Sequence, residues 1–284
     1  GGKLTAMEMD MTVDNGAYHS IGNVIINRAL HMLSSSYYIP SIKVASRLVY
    51  TNNPWGSAAR GAGPPQANFA LECAMEMLAY KLGMDPLEFR VKNSLQPGQS
   101  KSTGRTVTEW PLPELLEAIR PHYERALEEA RTQSGGRIRR GVGLATGSFG
   151  IGGPGDVSVA AVELDPDGGV SVFAAAADPG EGNDSMLAQL TAEFMGLPLD
   201  KVRLHTRDTD NTAASGPAAG SRITYMIGSA LLDALRQLRD AMQETGSQTP
   251  EALAAAGKPI RYLGRKKNED AGPLDPKTGQ GPSF

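Results

Sequence analysis

Cysteine is almost missing from this sequence, because Cys73 is the only one in 284 residues. One thiol cannot form an internal disulfide, so a disulfide-stapled fold is excluded. The four histidines, at positions 19, 31, 122 and 205, are scattered and form no cluster with the spacing of a zinc site. We therefore expect no metal bound directly by protein side chains. Cys73 falls inside an apolar helical pattern, which predicts a buried, unreactive thiol.

The sequence also lacks concentrated positive charge and long apolar runs. Its 28 Lys and Arg residues face 31 Asp and Glu residues, for a net charge of −3. Nucleic acids and anionic membranes require clustered positive charge, so we expect neither as a main partner. No run is long enough to cross a bilayer, and the first residues lack the layout of a signal peptide. Both ends interrupt a pattern, so we expect a piece of a longer, cytoplasmic protein.

Hydrophobic periodicity predicts strands and helices in two groups. Apolar and polar residues alternate over 4–13, as in a half-buried strand, and the turn DPDGG joins the two strands of a hairpin. Residues 66–83 are apolar on nearly every face, which predicts a buried helix that ends at Gly83. The other expected elements are strands at 42–50, 141–149, 157–164, 170–176, 201–206 and 259–265 and helices at 21–33, 86–93, 112–131, 184–195, 222–243 and 250–256. Asp85 is a candidate N-cap for the helix at 86–93.

These elements favour an α+β fold and not a doubly wound sheet, with strands followed by helices in two mixed α/β subdomains. The polar, turn-rich stretch 96–108 is typical of a linker, and the charged amphipathic helix after it is typical of a connecting surface helix. We therefore expect one subdomain over 1–95 and a linker with its connecting helix over 96–137. A second subdomain over 138–284 is expected to be incomplete at its C-terminal end.

Glycine is what the sequence has in excess: 33 of 284 residues, above the usual share of about 7%. Three glycine-rich loops precede expected helices: RGAGPPQ (60–66, the first loop), PGEGND (179–184, the second loop) and SGPAAGSR (215–222, the third loop). The first turn of a helix has unpaired N–H groups, and glycine lets an anion or a planar ring approach them. The third loop adds the hydroxyls of Ser215 and Ser221 and the charge of Arg222, which suit a phosphate or pyrophosphate.

A simpler interpretation stays open for each loop, namely a tight connection before a capped helix. In that interpretation Arg60 stabilises its loop by a salt bridge, and Glu181 is a solvated acid. No loop matches the nucleotide-binding patterns GxxxxGK[ST] or GxGxxG, and no Ser/His/Asp or Cys/His arrangement points to nucleophilic catalysis. Three loops of one design favour a large anionic cofactor about as strongly as they favour three separate turns.

Three segments of the sequence resemble one known family. ARGAGPPQANFALECAMEMLAYKLGMDPLEFRVKN (59–93) is similar to the FRG[FY]G[GA]PQ segment and following helices of the molybdenum hydroxylases, the family of xanthine dehydrogenases and aldehyde oxidases. DPGEGND resembles the family's GQG loop, and NTAASGPAAGSRITYMIGSAL resembles the SGP[SA]GGSR segment of its bacterial aldehyde oxidoreductases. Order and spacing agree over essentially the whole chain, which therefore resembles the central molybdopterin-binding part of the family's large region.

The resemblance implies a molybdopterin cofactor that carries molybdenum, either plain or as the cytosine dinucleotide. It implies that Arg60 and Gly61 lie beside the metal and that Ala62 faces the substrate. The other implied cofactor-binding residues are Gly180, Glu181, Gly182 and Asn183 on the pterin side, and Ala219, Gly220, Ser221 and Arg222 at the pyrophosphate or nucleotide.

The family's reaction is hydroxylation of a carbon that carries hydrogen, with water as the oxygen source and with electrons leaving through iron–sulfur clusters. The resemblance thus implies an oxidoreductase that converts aldehydes to carboxylic acids and forms a homo-oligomer. Its implied partners are the rest of the same polypeptide or a companion iron–sulfur subunit. The alternatives are a hydroxylase of N-heterocycles of the purine or nicotinate type and a non-catalytic assembly module.

Three departures from the family pattern qualify that expectation. Ala62 stands where an aromatic residue is usual, which predicts a wider pocket. Glu181 stands where the family has Gln, which removes a hydrogen-bond donor. The GxGE segment with the family's catalytic glutamate, the FGGK segment and the cysteines of the 2Fe-2S clusters do not occur in these 284 residues. We therefore expect no catalytic residue in this chain and no activity of the chain alone.

Overall fold

The structure, a computed structural model, describes residues 1–151, 153, 155–269, 275, 277, 278 and 281. It is α+β, as the sequence predicted, and divides into two compact units. Unit 1 comprises residues 1–149 and the described residues from 275 onward, and unit 2 comprises residues 150–269. The subdomain limits at 95 and 138 stay predictions.

The elements are, in chain order, β1 (Ala6–Asp14), α1 (Gly22–His31), β2 (Ser41–Val49), α2 (Pro64–Leu82), α3 (Pro86–Asn93), α4 (Leu112–Gln133), β3 (Val157–Leu164), β4 (Val170–Ala174), α5 (Asn183–Met195), β5 (Val202–His205), α6 (Gly228–Thr245), α7 (Pro250–Ala255) and β6 (Arg261–Lys267). A short 3-10 turn, Leu199–Lys201, precedes β5. A π-helical turn, Ile223–Ile227, precedes α6.

In unit 1 the strands β1 and β2 pair in parallel, in register from Ala6 beside Ser41 to Asp14 beside Val49. A parallel pair needs a crossover, and α1 lies in that connection. Asp85 caps α3 as expected, because its carboxylate accepts from the backbone N–H groups that follow it. The core of unit 1 consists of Tyr37, Ile39, Leu71, Met75, Ala79 and Phe89.

Helix α2 corrects two predictions. Beyond Pro64 at its start, the buried residues of the helix are one apolar stripe spaced by four, Ala67, Leu71, Met75 and Ala79, and the adjacent Glu72. Other apolar positions are exposed, Phe69 by 73%, Met77 by 61% and Tyr80 by 88%. The expectation of a helix buried on nearly every face is therefore wrong, and so is that of a buried Cys73, which is exposed. A helix that packs on one side of a unit covers only that side, however apolar the rest of its surface is.

A buried polar network fastens α2 to its neighbours. The Glu72 carboxylate accepts hydrogen bonds from the Tyr37 hydroxyl (2.5 Å), Arg90 Nε (2.9 Å) and the Thr146 hydroxyl (2.9 Å). Arg90 is fully buried, so its charge depends on Glu72 and Glu76 for compensation. Burial and the adjacent Glu72 charge raise the pKa of Tyr37.

The same network accounts for residues 141–149, which the sequence predicted to be a strand. That prediction is wrong, because the backbone forms no strand there. The Thr146 hydroxyl bonds to Glu72, and Asn68 Nδ2 donates to the Thr146 carbonyl (2.7 Å). Residues 141–149 are thus held by side chains of α2 and not by pairing with a neighbouring strand.

Unit 2 contains a four-stranded sheet in the order β5-β4-β3-β6. The DPDGG turn joins β3 and β4 as an antiparallel hairpin, as predicted, with Leu164 beside Val170. Helix α6 packs on the sheet so closely that a Cβ on Gly264 of β6 would lie 1.9 Å from the Ala230 carbonyl oxygen. No helix in the described part of the chain is long and apolar enough to cross a bilayer.

Candidate cofactor site

The first loop enters α2 with a backbone that requires glycine at two positions. Gly61 and Gly63 both have a φ of 107°, which L side chains rarely adopt. A Cβ at Gly63 would lie 2.1 Å from the Ile25 carbonyl oxygen, and one at Gly61 would lie 2.3 Å from Pro65 Cγ. The Gly63 N–H donates to Gln66 Oε1 (3.1 Å) in the first turn of the helix. Both glycines are therefore needed for the packing of the loop itself.

Arg60 and Ala62 carry the two side chains of the first loop that the resemblance assigns to the site. Arg60 is exposed and forms no ion pair with any residue that the structure describes, so the loop-stabilising salt bridge considered above is not found. Ala62 is half-buried with a φ of 45°, a left-handed conformation that costs a non-glycine residue about 1 kcal/mol. Such strain concentrates at functional sites. A free cation and a strained residue two positions apart are consistent with a binding role.

The second loop is closed by an acid that precedes it. Asp178 Oδ1 accepts from the N–H groups of Gly180 and Gly182 (both 3.0 Å), and Oδ2 accepts from that of Asp184 (3.2 Å). These bonds, with Gly180 the largest contributor, lower the pKa of Asp178 from its ordinary value. These three N–H groups at the start of α5 are thus occupied within the chain and are not available to an anion.

The second loop nevertheless leaves one acceptor and open space. Asn183 Nδ2 donates to Glu181 Oε1 (2.7 Å) and to the Ala177 carbonyl (2.7 Å). Glu181 is exposed, and its Oε2 has no partner within the described residues. Gly180 and Gly182 have positive φ, and nothing lies within 4 Å of the place that a Cβ would take on either. A carboxylate beside bare backbone suits ring N–H or amine groups, because it accepts hydrogen bonds and donates none.

The third loop is anchored to β3 by two serines. Ser215 Oγ accepts from the Val159 N–H (3.1 Å) and donates to the Val159 carbonyl (2.5 Å). Ser158 Oγ donates to the Ser215 carbonyl (3.2 Å). Ser215 is only 1% exposed, so the hydroxyl that the sequence offered to a phosphate is used inside the chain.

Arg222 closes the third loop at its other end. Its side chain is buried, and Nε and Nη2 donate to the two oxygens of Asp156 (2.5 and 2.8 Å). Further bonds run from Nη2 to Ser158 Oγ (2.7 Å) and from Nη1 to the Pro217 carbonyl (3.2 Å). Asp156 therefore neutralises the charge of Arg222 within the chain.

The free donors of the third loop lie on its backbone. The N–H groups of Gly220 and Ser221 bond to no atom in the part of the chain that the structure describes. Ser221 is exposed, so its hydroxyl is accessible as well. Backbone N–H groups and a hydroxyl at a helix start are the donors that phosphate oxygens require. The residues present thus fit a phosphorylated cofactor.

The predicted site residues fall into two sets. Arg60, Gly61 and Ala62 lie in unit 1, and the residues of the second and third loops lie in unit 2. Within unit 2, α5 packs against the start of α6, where a Cβ on Gly228 would lie 3.5 Å from Leu190. No group of three or more His, Cys, Asp and Glu side chains suited to a metal occurs among the described residues.

Sequence reasoning missed Asp156 and Ser158 and assigned no role to Asp178. The pattern Asp-x-Gly before a helix is a signal that could have identified Asp178 as a cap, because Asp side chains bond to backbone N–H groups two residues on. Asp156 carries no such local signal, since its partner Arg222 lies 66 positions later in the chain.

Comparison with known proteins places these loops in a family. Family models described as molybdopterin cofactor-binding domains match residues 1–94 and 115–268. The chain is 40% identical over its full length to an aldehyde oxidoreductase of Megalodesulfovibrio gigas, of which it covers 32%. It is 34% identical, over 84% of its length, to a putative xanthine dehydrogenase molybdenum-binding subunit of Escherichia coli (strain K12), of which it covers 33%. The chain thus spans about a third of these relatives.

Solved structures agree with this assignment. The aldehyde oxidoreductase from Desulfovibrio gigas superimposes with a TM-score of 0.95 and 39% identity, over the whole of this chain and 32% of that one. Quinoline 2-oxidoreductase from Pseudomonas putida 86 shares the fold, with a TM-score of 0.77 at 21% identity over 95% of this chain and 41% of that one. The chain belongs to the family of molybdopterin cofactor-binding domains.

Proposed function

We propose that this chain is the molybdopterin-binding portion of an oxidoreductase that hydroxylates aldehydes to carboxylic acids with oxygen from water. The observation that carries the proposal is the 40% identity over the full chain to an aldehyde oxidoreductase. The match to the xanthine dehydrogenase subunit is weaker and covers less of the chain. An aldehyde is therefore the favoured substrate, ahead of an N-heterocycle.

Each of the three loops would contact a different part of the cofactor. The backbone N–H groups of Gly220 and Ser221, beside Ala219 and with Arg222 closing the loop, would hold the phosphate that both plain molybdopterin and its cytosine dinucleotide carry. Glu181 and its neighbours in the second loop, Gly180, Gly182 and Asn183, would take the pterin side, where amine and ring N–H groups need an acceptor. Arg60 and Gly61 would lie beside the metal.

Ala62 would line the substrate side, where its small side chain leaves room that an aromatic residue would fill. When bound, the molybdenum cofactor supplies the two-electron chemistry that adds an oxygen atom to a carbon. The 2Fe-2S clusters and the catalytic glutamate would come from the rest of the polypeptide or from a companion subunit. The cytoplasmic location, the homo-oligomeric state and the inactivity of the chain alone stay predictions.

The test is turnover by the full-length protein with a series of aldehydes, xanthine and nicotinate, in ¹⁸O-labelled water with an artificial electron acceptor. We expect a labelled carboxylic acid and a kcat/KM for aldehydes about a hundredfold above that for the heterocycles. Ala62→Phe should lower kcat/KM for bulky aldehydes more than for small ones, and Ala58→Phe, at an exposed position just before the motif, is the control. Oxidation of the heterocycles alone would make the substrate assignment wrong. Absence of molybdenum and pterin would favour the assembly module.

A further inference from the structure

The positive charge of Arg222 is already compensated by the carboxylate of Asp156. Its guanidinium is 3% exposed and holds both oxygens of Asp156, which is itself 19% exposed. A phosphate would have to displace Asp156 to pair with Arg222. Breaking a pair of this kind leaves a charge without compensation, which is strongly unfavourable.

The first half of the third loop is built around this guanidinium. Gly216 has a φ of 77°, and a Cβ there would lie 3.0 Å from Arg222 Cζ and Nη1. The Pro217 carbonyl accepts from Nη1, and Ser158, which accepts from Nη2, donates to the Ser215 carbonyl. The guanidinium therefore fixes the carbonyl groups at both ends of the Ser215–Pro217 turn.

The second half of the loop carries the free donors. Ser221 has a φ of 54°, and Arg222 follows in the right-handed region with φ −95° and ψ −21°. A left-handed residue followed by a right-handed one directs successive N–H groups to the same side, which forms a concavity for an anion. Because Arg222 is the right-handed member of this pair, its ion pair with Asp156 also restrains the direction of the Ser221 N–H group, which directly follows the free N–H group of Gly220.

We propose that Arg222 is a positioning residue, clamped by Asp156 and Ser158, and that the backbone of the third loop, not the charge of Arg222, binds the cofactor's phosphate. This inference rests on the proposed function, because it concerns the same loop. It adds Asp156 and Ser158, which lie outside the three loops, to the residues on which cofactor retention depends.

The experiment compares the full-length protein with Asp156→Asn, Arg222→Lys and the double variant, and measures the rate at which molybdenum and pterin are lost after dilution. Asp156→Asn leaves the charge of Arg222 in place. If Arg222 paired directly with the phosphate, this variant would therefore lose cofactor at the wild-type rate or more slowly. The clamp predicts loss about tenfold faster, the usual effect of removing a hydrogen bond to a charged group. Arg222→Lys keeps the charge but not the forked geometry. It should lose cofactor as fast as Asp156→Asn, and the double variant should be no worse than either.

A second readout separates positioning from general loss of stability. Amide exchange over 219–223 should rise in Asp156→Asn while exchange in β4 stays within about twofold of wild type. The control is Glu163→Gln, which breaks a more exposed arginine–carboxylate pair of the same sheet, that with Arg261 at 2.6 Å. This control should retain the cofactor as the wild type does. Equal cofactor loss in Glu163→Gln would mean that stability alone controls retention and would overturn the proposal.

The possible outcomes keep this inference apart from the proposed function. If the wild-type protein carries no molybdenum or pterin, the proposed function fails. If it carries both and Asp156→Asn retains them at the wild-type rate, the clamp fails and the proposed function stands. Should Asp156→Asn not fold, Ser158→Ala takes its place: faster cofactor loss with raised exchange over 219–223 supports the clamp, and an unchanged rate overturns it.

Discussion

The first and third loops hold their arginines in opposite ways. Arg60 is exposed and forms no ion pair within the described chain, and its loop is shaped by glycines packed against the Ile25 carbonyl and the Pro65 ring. Arg222 is buried in an ion pair with Asp156, and its loop is shaped around that charge. In the sequence both arginines border a loop that contains glycine and proline, Arg60 at its start and Arg222 at its end. The two arginines therefore differ in their partners and not in their motifs. Arg60 has no charged partner within the described chain and is free to contact a ligand, whereas Arg222 is paired with Asp156 and orders the backbone of its loop.

The largest expected effect comes from removing each charge in turn. Arg222→Ala leaves Asp156 unpaired beside Ser158, so it should destabilise unit 2 by about 3 kcal/mol. Arg60→Ala removes no ion pair and should change the free energy of unfolding by less than about 0.5 kcal/mol. Both changes in the free energy of unfolding are measured by native-state amide exchange in the full-length protein. The exchange of β3 reports on Arg222→Ala, and that of α2 reports on Arg60→Ala. Equal destabilisation by the two variants would contradict the contrast.

A smaller effect should follow from adding one methyl group to the first loop. Gly63→Ala places a Cβ 2.1 Å from the Ile25 carbonyl oxygen at a φ of 107°, so α1 or α2 must move at a cost of about 2 kcal/mol. Gly141→Ala is the matched control, because its Cβ would meet nothing within 4 Å and its φ is not in the left-handed region. Chemical denaturation followed by amide exchange in α1 and α2 checks the difference. A Gly63→Ala variant as stable as Gly141→Ala would show that steric packing does not shape this loop.

The smallest effect concerns the second loop, which is held by a carboxylate on backbone N–H groups. The pKa of Asp178 is lowered from its ordinary value of 3.8. Its contribution is therefore present above pH 3.8 and lost as the pH falls through the folded-state pKa. Amide exchange of Gly180, Gly182 and Asp184, corrected for intrinsic rates, should accelerate over that acid range. Asp178→Asn should show fast exchange at every pH, and a pH-dependent profile in this variant would assign the titration to another group.

Local patterns were enough to predict much of the fold. The DPDGG hairpin, the Asp85 cap and the end of α2 at Gly83, which has a φ of 60°, are all where the sequence put them. Each of these features depends on interactions between residues a few positions apart, so the local sequence is enough to predict it.

The errors involve contacts between distant residues. The segment 141–149 alternates like a strand, but the structure holds it through Thr146 and the side chains of α2. The apolar surface of α2 exceeds what unit 1 covers, so Cys73 is exposed. For the candidate site, the motifs identified the loops, whereas the partner of Arg222 could not be predicted because Asp156 lies outside every motif.

The most direct test of this account is the molybdenum and pterin content of the purified full-length protein. We expect both, in equal molar amounts that approach the amount of protein, because the unpaired N–H groups of the third loop fit a phosphorylated cofactor. Protein that is folded and contains neither molybdenum nor pterin would contradict the account.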